Sequence, residues 1–84
     1  MTFRDNPAQS RFELDENGAT VIADYRRKDK TLYIDFVEAP PALRGTGAAG
    51  RIMSAIMDTA RREGLEVVPI CGYAASWISR HPEK

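Results

Sequence analysis

Residues Leu43-Arg44-Gly45-Thr46-Gly47-Ala48-Ala49-Gly50 hold the densest ligand-binding potential in this chain of 84 residues. Three glycines let the backbone turn tightly and come close to a ligand. An amphipathic segment follows, so the loop opens a helix. The first N–H groups of a helix have no internal partner, and the positive end of the helix dipole lies behind them. Such a site suits phosphate or pyrophosphate. A Walker A reading fails, because no Lys-Ser or Lys-Thr follows the last glycine. Gly45-Thr46-Gly47-Ala48-Ala49-Gly50 spells G-x-G-x-x-G, the letters of a dinucleotide fingerprint. The context of that fingerprint is missing, since it needs a strand running straight into the glycines inside a βαβ unit. Here strand-like hairpins and Pro40-Pro41 come first.

The elements that must position this loop are legible from periodicity. Residues 1–10 are polar and contain Pro7, which reads as an extended or frayed N-terminal arm. Arg11 to Glu16 alternates, with Phe12 and Leu14 on one face. Asn17-Gly18 is a strong hairpin signal. Ala19 to Arg27 and Thr31 to Val37 read as two more strands, joined by Lys28-Asp29-Lys30. The prediction is an antiparallel three-stranded meander. Pro40-Pro41 ends it, since proline donates nothing to a ladder. A helix is predicted from about Gly47 to Glu63, roughly 25 Å long. Its apolar stripe is Ala49, Ile52, Met53, Ile56, Met57 and Ala60. Asp58 stands four residues before Arg62, the favourable order for an ion pair. Gly64 suits the C-terminal cap. Leu65 to Ile70 reads as a fourth, buried strand, and Gly72 to Arg80 as a short second helix ending before Pro82.

Size and composition bound the function. Eighty-four residues make one domain, with an arm over 1–10 and the domain proper over 11–84. A domain this small buries roughly 60% of its unfolded surface and has little room for a deep pocket. The formal net charge is +0, which gives no global pull toward nucleic acid or an anionic membrane. The single cysteine, Cys71, forms no internal disulfide and fits a reducing cytoplasm. The first residues carry no apolar run, so no signal peptide is expected, and no segment has the length of a membrane span.

The third reading of the loop takes in this context. Arg44-Gly45-Thr46-Gly47-Ala48-Ala49 resembles the Arg/Gln-x-x-Gly-x-Gly/Ala pattern of the GNAT superfamily of N-acetyltransferases. Arg11-Phe12-Glu13-Leu14, Glu38 to Gly45, Val68-Pro69-Ile70-Cys71 and Trp77 to Glu83 resemble its short single-domain branch. The resemblance implies a minimal α/β GNAT-like fold. That fold has a meander, one long helix, a fourth strand parallel to the third, and a short C-terminal helix. It implies that Leu43, Arg44, Gly45, Thr46, Gly47, Ala48 and Ala49 hold the pyrophosphate of acetyl-CoA. Arg44 would sit beside the phosphates, where its fork of donors suits oxyanions. The implied activity is acetyl transfer to a primary amine by direct attack on the thioester.

Three residues are candidates for that chemistry. Glu38 has the parity of Leu32, Ile34 and Phe36. A regular strand would turn it toward the apolar side, where desolvation makes a carboxylate a better base. Cys71 reads as a small hydrophobe, a general acid or a transient acyl acceptor. Tyr73 reads as a wall residue or as the proton donor to the departing thiolate. His81 fits a helix-end cap better than a catalytic role. Trp77 reads as core. The chain departs from the implied pattern where Trp77 replaces a proton-donating tyrosine and where Phe36 replaces a polar or histidine residue. Indole supplies no such proton, so Tyr73, Cys71 or water must. The alternative is a non-catalytic acyl-CoA binding or sensing module; a small interaction protein is a third class. An acceptor cleft on so short a chain is shallow, or is completed by a homodimer mate or another partner. The acceptor itself is a small amine, a protein lysine or a protein N-terminus.

Overall fold

The computed structural model describes residues 2–81. Met1 and residues 82–84, Pro82 among them, lie outside the described residues. Five strands form one sheet in sequence order: β1 (Thr2–Asn6), β2 (Arg11–Glu16), β3 (Ala19–Lys28), β4 (Thr31–Glu38) and β5 (Glu66–Pro69). The first four pair antiparallel, and β4 pairs parallel with β5. Helix α1 (Ala48–Glu63) makes the crossover between β4 and β5, and α2 (Gly72–Arg80) follows β5. A 3-10 turn at Pro41–Leu43 leads into the glycine loop.

The meander has one strand more than its periodicity suggests. Thr2–Asn6, read as an arm, is β1 and pairs along all of β2 from Thr2↔Asp15 to Asn6↔Arg11. Only Phe3 and Asp5 of β1 face the core side, so alternation is too weak there to announce a strand. Phe3 stacks on Phe12 with centroids 5.5 Å apart, and Asp5 accepts a 2.6 Å hydrogen bond from the Tyr25 hydroxyl. The Asn17-Gly18 hairpin behaves as its letters require. Both residues have positive φ, 50° and 78°, which matches the right-handed strand twist.

Both helices cover the same face of the sheet. Phe12, Leu14, Val21, Ala23, Leu32 and Ile34 meet Ile52, Met53 and Ile56 of α1 and Ala74 of α2, all buried. The predicted stripe is the buried one at its centre, while Ala49 and Met57 are half-buried. Ala48 takes the buried place at the first turn. Gly64 caps α1 in the left-handed region at φ 69°. Asp58 pairs with Arg61 at 2.8 Å rather than with Arg62, whose guanidinium reaches Thr59 at 3.4 Å. The opposite sheet face carries a polar ladder. Arg4 and Arg11 close over Glu13 at 2.7 Å each, and Arg26 binds Asp35 through two bonds of 2.9 Å. Both arginine pairs hold their carboxylates below the usual range, Glu13 chiefly through Arg11 and Asp35 chiefly through Arg26.

Candidate functional site

The glycine loop leaves several of its backbone N–H groups unpaired. Gly45 and Gly47 lie at φ 79° and 85°, the left-handed region that side chains rarely adopt. Gly47 is the N-cap of α1 and has no side chain to satisfy the first turn. Thr46 supplies part of that function: its hydroxyl donates to Leu43 O at 2.6 Å and accepts the Ala48 N–H at 3.3 Å. The N–H groups of Gly45, Gly47, Ala49 and Gly50 have no acceptor among the described residues. The first turn of α1 contains no acidic residue, so no acid of that turn competes for its positive end. A row of free amides at a helix start forms an anion-binding concavity.

A cleft of about 270 Å³ stands over this turn, lined by Ala39, Leu43, Arg44, Gly45, Gly47, Ala48, Ala49, Gly50 and Tyr73. The structure thus brings Tyr73, a predicted catalytic residue, to the predicted phosphate loop. Tyr73 is 37% exposed. Its hydroxyl and the Trp77 indole nitrogen converge on Gly50, where an added Cβ would meet them at 3.7 and 3.2 Å. Glycine at 50 therefore lets α2 close against the first turn of α1. A second groove of about 280 Å³, at the far end of α1, is lined by Met57, Ala60, Arg61, Leu65, Val67 and Ile78. It has none of the loop's free amides. Among the described residues no group of three or more His, Cys, Asp or Glu is placed to hold a metal.

Arg44 is exposed, and its Nε donates to Ala39 O at 3.0 Å. That bond steadies the loop entry. Arg51, outside the apolar stripe of α1, does more, and nothing in the sequence singles it out. Its Nε and Nη2 bind Glu16 at 2.6 and 2.7 Å, and its Nη1 donates to Thr46 O at 3.1 Å. Arg51 holds the Glu16 carboxyl below its ordinary range. No local pattern connects residues 35 apart, so only tertiary contact reveals the pair.

Beyond Ile34 the sheet opens. β4 and β5 share register only from Thr31↔Glu66 to Ile34↔Pro69. Ile34 O then accepts both the Ile70 and the Cys71 N–H, at 2.9 and 3.0 Å, and the chain turns into α2. Phe36, Ile70 and Tyr73, the exposed large hydrophobics among the described residues, all lie at this end. Cys71 is half-buried, is the N-cap of α2, and packs against the core cluster. Neither Cys71 nor Glu38 lines the cleft.

Glu38 corrects an expectation. Tyr25 pairs with Ile34 and Asp24 with Phe36, so Asp35 is an extra residue in β4. This bulge inverts the alternation. Val37 moves to the core face opposite Ala23, and Phe36 and Glu38 turn to the helix-free face, both exposed. The burial that would have made Glu38 basic is absent. His81 fulfils its reading as a helix-end residue: its N–H reaches Ile78 O, and its Nδ1 donates to Trp77 O at 2.8 Å. Its ring stacks on Trp77 at 4.0 Å.

A family profile described as GCN5-related N-acetyl-transferase matches residues 11–84. The chain belongs to that family. The profile begins at β2, so β1 lies outside the matched span. The fold agrees: the chain is similar to the solution structure of a "GCN5-like putative N-acetyltransferase" from Staphylococcus aureus. The TM-score is 0.73 and the identity 23%, over 95% of this chain and 79% of that one. No functionally curated protein matches significantly. Among the described residues no helix is long and apolar enough to cross a membrane.

Proposed function

We propose that this family member is an N-acetyltransferase that binds acetyl-CoA through Leu43 to Ala49 and passes the acetyl group to a primary amine. The observation that carries the reading is the set of free N–H groups at Gly45, Gly47, Ala49 and Gly50, uncontested by any acid in the first turn. The pyrophosphate occupies that turn, and the thioester arm extends toward the gap where β4 and β5 part after Ile34. The exposed Phe36 and Ile70 give that gap apolar edges. The amine attacks the thioester carbonyl carbon directly, and the carbon–sulfur bond breaks.

Tyr73 lines the cleft and is the best-placed donor to the departing thiolate. Cys71, half-buried against the core, is the less accessible candidate for that role. Glu38 faces solvent and takes the ammonium proton through water. Its exposure and the indole at 77 are the features that favour the second reading, a non-catalytic acyl-CoA binding module.

Isothermal titration with acetyl-CoA, with NADH and ATP as controls, tests the binding step. Selective micromolar binding is the expected result. No binding to a folded, monodisperse sample would sink the assignment. Thiol release with an amine panel then separates enzyme from module: thioester loss that does not depend on amine favours the module.

A further inference from the structure

We infer that Arg51 and Glu16 act as a clamp that sets which way the Thr46–Gly47 peptide points, and so keeps the loop in its anion-binding state. The inference rests on the acetyl-CoA reading above. Thr46 C=O and Gly47 N–H belong to one planar trans peptide, so they point in opposite directions. Arg51 Nη1 holds the Thr46 oxygen at 3.1 Å. The Gly47 N–H is therefore turned the other way and is left without an acceptor. Glycine tolerates both hands of φ almost equally, so its own conformation does little to prevent the peptide from flipping. A flip would replace an N–H donor with a carbonyl oxygen and repel a phosphate.

The guanidinium is held in place by the sheet. Two of its nitrogens grip the Glu16 carboxylate at 2.6 and 2.7 Å, and the third is thereby aimed at Thr46. Glu16 is buried at the end of β2, and its side chain is 9% exposed. Such a bidentate pair fixes direction as well as distance. Arg51 is thus a positioning residue: its charge is matched by Glu16, and its remaining nitrogen, Nη1, faces the loop backbone. Gly47 also lies against it, since a Cβ there would come within 3.1 Å of Nη1.

The test uses the full chain and the variants Arg51→Met, Arg51→Lys and Glu16→Gln. Binding of coenzyme A is compared with binding of pantetheine, which lacks the phosphates, and the Gly47 amide is followed by 15N–1H NMR. In Arg51→Met the preference for coenzyme A over pantetheine is expected to fall on the order of tenfold, as for loss of a charge-assisted bond. Lysine restores charge but not the fork, so Arg51→Lys should fall with it. Rescue by lysine would mean that charge acts and not direction, and would overturn the clamp. An unchanged preference in all three variants would overturn it as well. Glu16→Gln keeps the volume of the side chain and carries the test where Arg51→Met does not fold. Wild-type protein that binds no coenzyme A would overturn the acetyl-CoA reading instead. The Gly47 resonance then still decides the clamp: a shift in the variants supports it, and an unmoved resonance sinks it.

Discussion

Tyr73 and Gly47 both line the cleft, the one proposed to move a proton and the other to admit a phosphate. Tyr73 supplies the accessible hydroxyl beside the loop. Removing that hydroxyl should lower kcat about 10²-fold, the lower bound for losing a general acid, with little change in KM. Steady-state thiol release by Tyr73→Phe checks this, and an unchanged kcat would return the role to Cys71 or water. Gly47→Trp addresses binding. The left-handed φ of 85° penalises any side chain by about 1–2 kcal/mol, and the new Cβ would crowd Arg51. The expected protein is folded but less stable, and blind to acetyl-CoA by titration. The glycines of the loop were readable from their letters and their place before a helix. The orientation of Glu38 was not, because strand parity holds only while the strand stays regular. One extra residue at Asp35 reverses it.

At the scale of elements, α1 is the part that places the site, and its two ends are built differently. The N-terminal end leaves amides open for a ligand. The C-terminal end is closed by Gly64, whose N–H meets Ala60 O and Arg61 O, after a basic turn of Arg61 and Arg62. An added Cβ at Gly64 meets nothing within 4 Å. Gly64→Ala therefore isolates the backbone effect, and urea unfolding should show a loss of about 1–2 kcal/mol at φ 69°. A neutral result would mean the cap relaxes out of the left-handed region. Strands β2 to β4 and both helices were legible from alternation, the Asn17-Gly18 turn and the 3.6-residue period. Strand β1 was missed because its burial is slight: Phe3 and Asn6 are half-buried and the other three residues exposed.

Across the whole molecule, one sheet face is packed by helices and the other is laced by ion pairs. These ion pairs, with Arg51–Glu16 and Tyr25–Asp5 on the helix side, predict how stability follows pH. Arg11, Arg4, Arg51 and Arg26 are the first causes that depress Glu13, Asp15, Glu16 and Asp35 respectively below their ordinary 4.5 or 3.8. A depressed carboxylate contributes stability above its unfolded pKa and loses it as pH falls through the folded value. Stability should therefore hold down to about pH 4.5 and then decline. At the alkaline side Tyr25 is pushed up to about 12, first by burial and then by its bond to Asp5. The neutral phenol is the form the fold favours. Its contribution is complete below the ordinary 10.0 and is lost as pH rises toward 12. Urea midpoints measured from pH 3 to pH 11 should form a plateau with both shoulders. A flat profile below pH 4 would mean that the arginine pairs are too well solvated to matter.

The amino-acid sequence alone determined the order of the elements from β2 onward, the glycine loop at a helix start and the family it resembles. These are local properties: turn chemistry, period and the spacing of glycines act over a few residues. Only the tertiary structure decided that β1 joins the sheet, that Glu38 faces away from the core and that Tyr73 stands over the loop. It alone decided that Glu16 reaches Arg51 across 35 positions. Each of these depends on where two distant segments come to lie. Side-chain period says which face of an element is apolar, and it does not say which neighbour will meet that face.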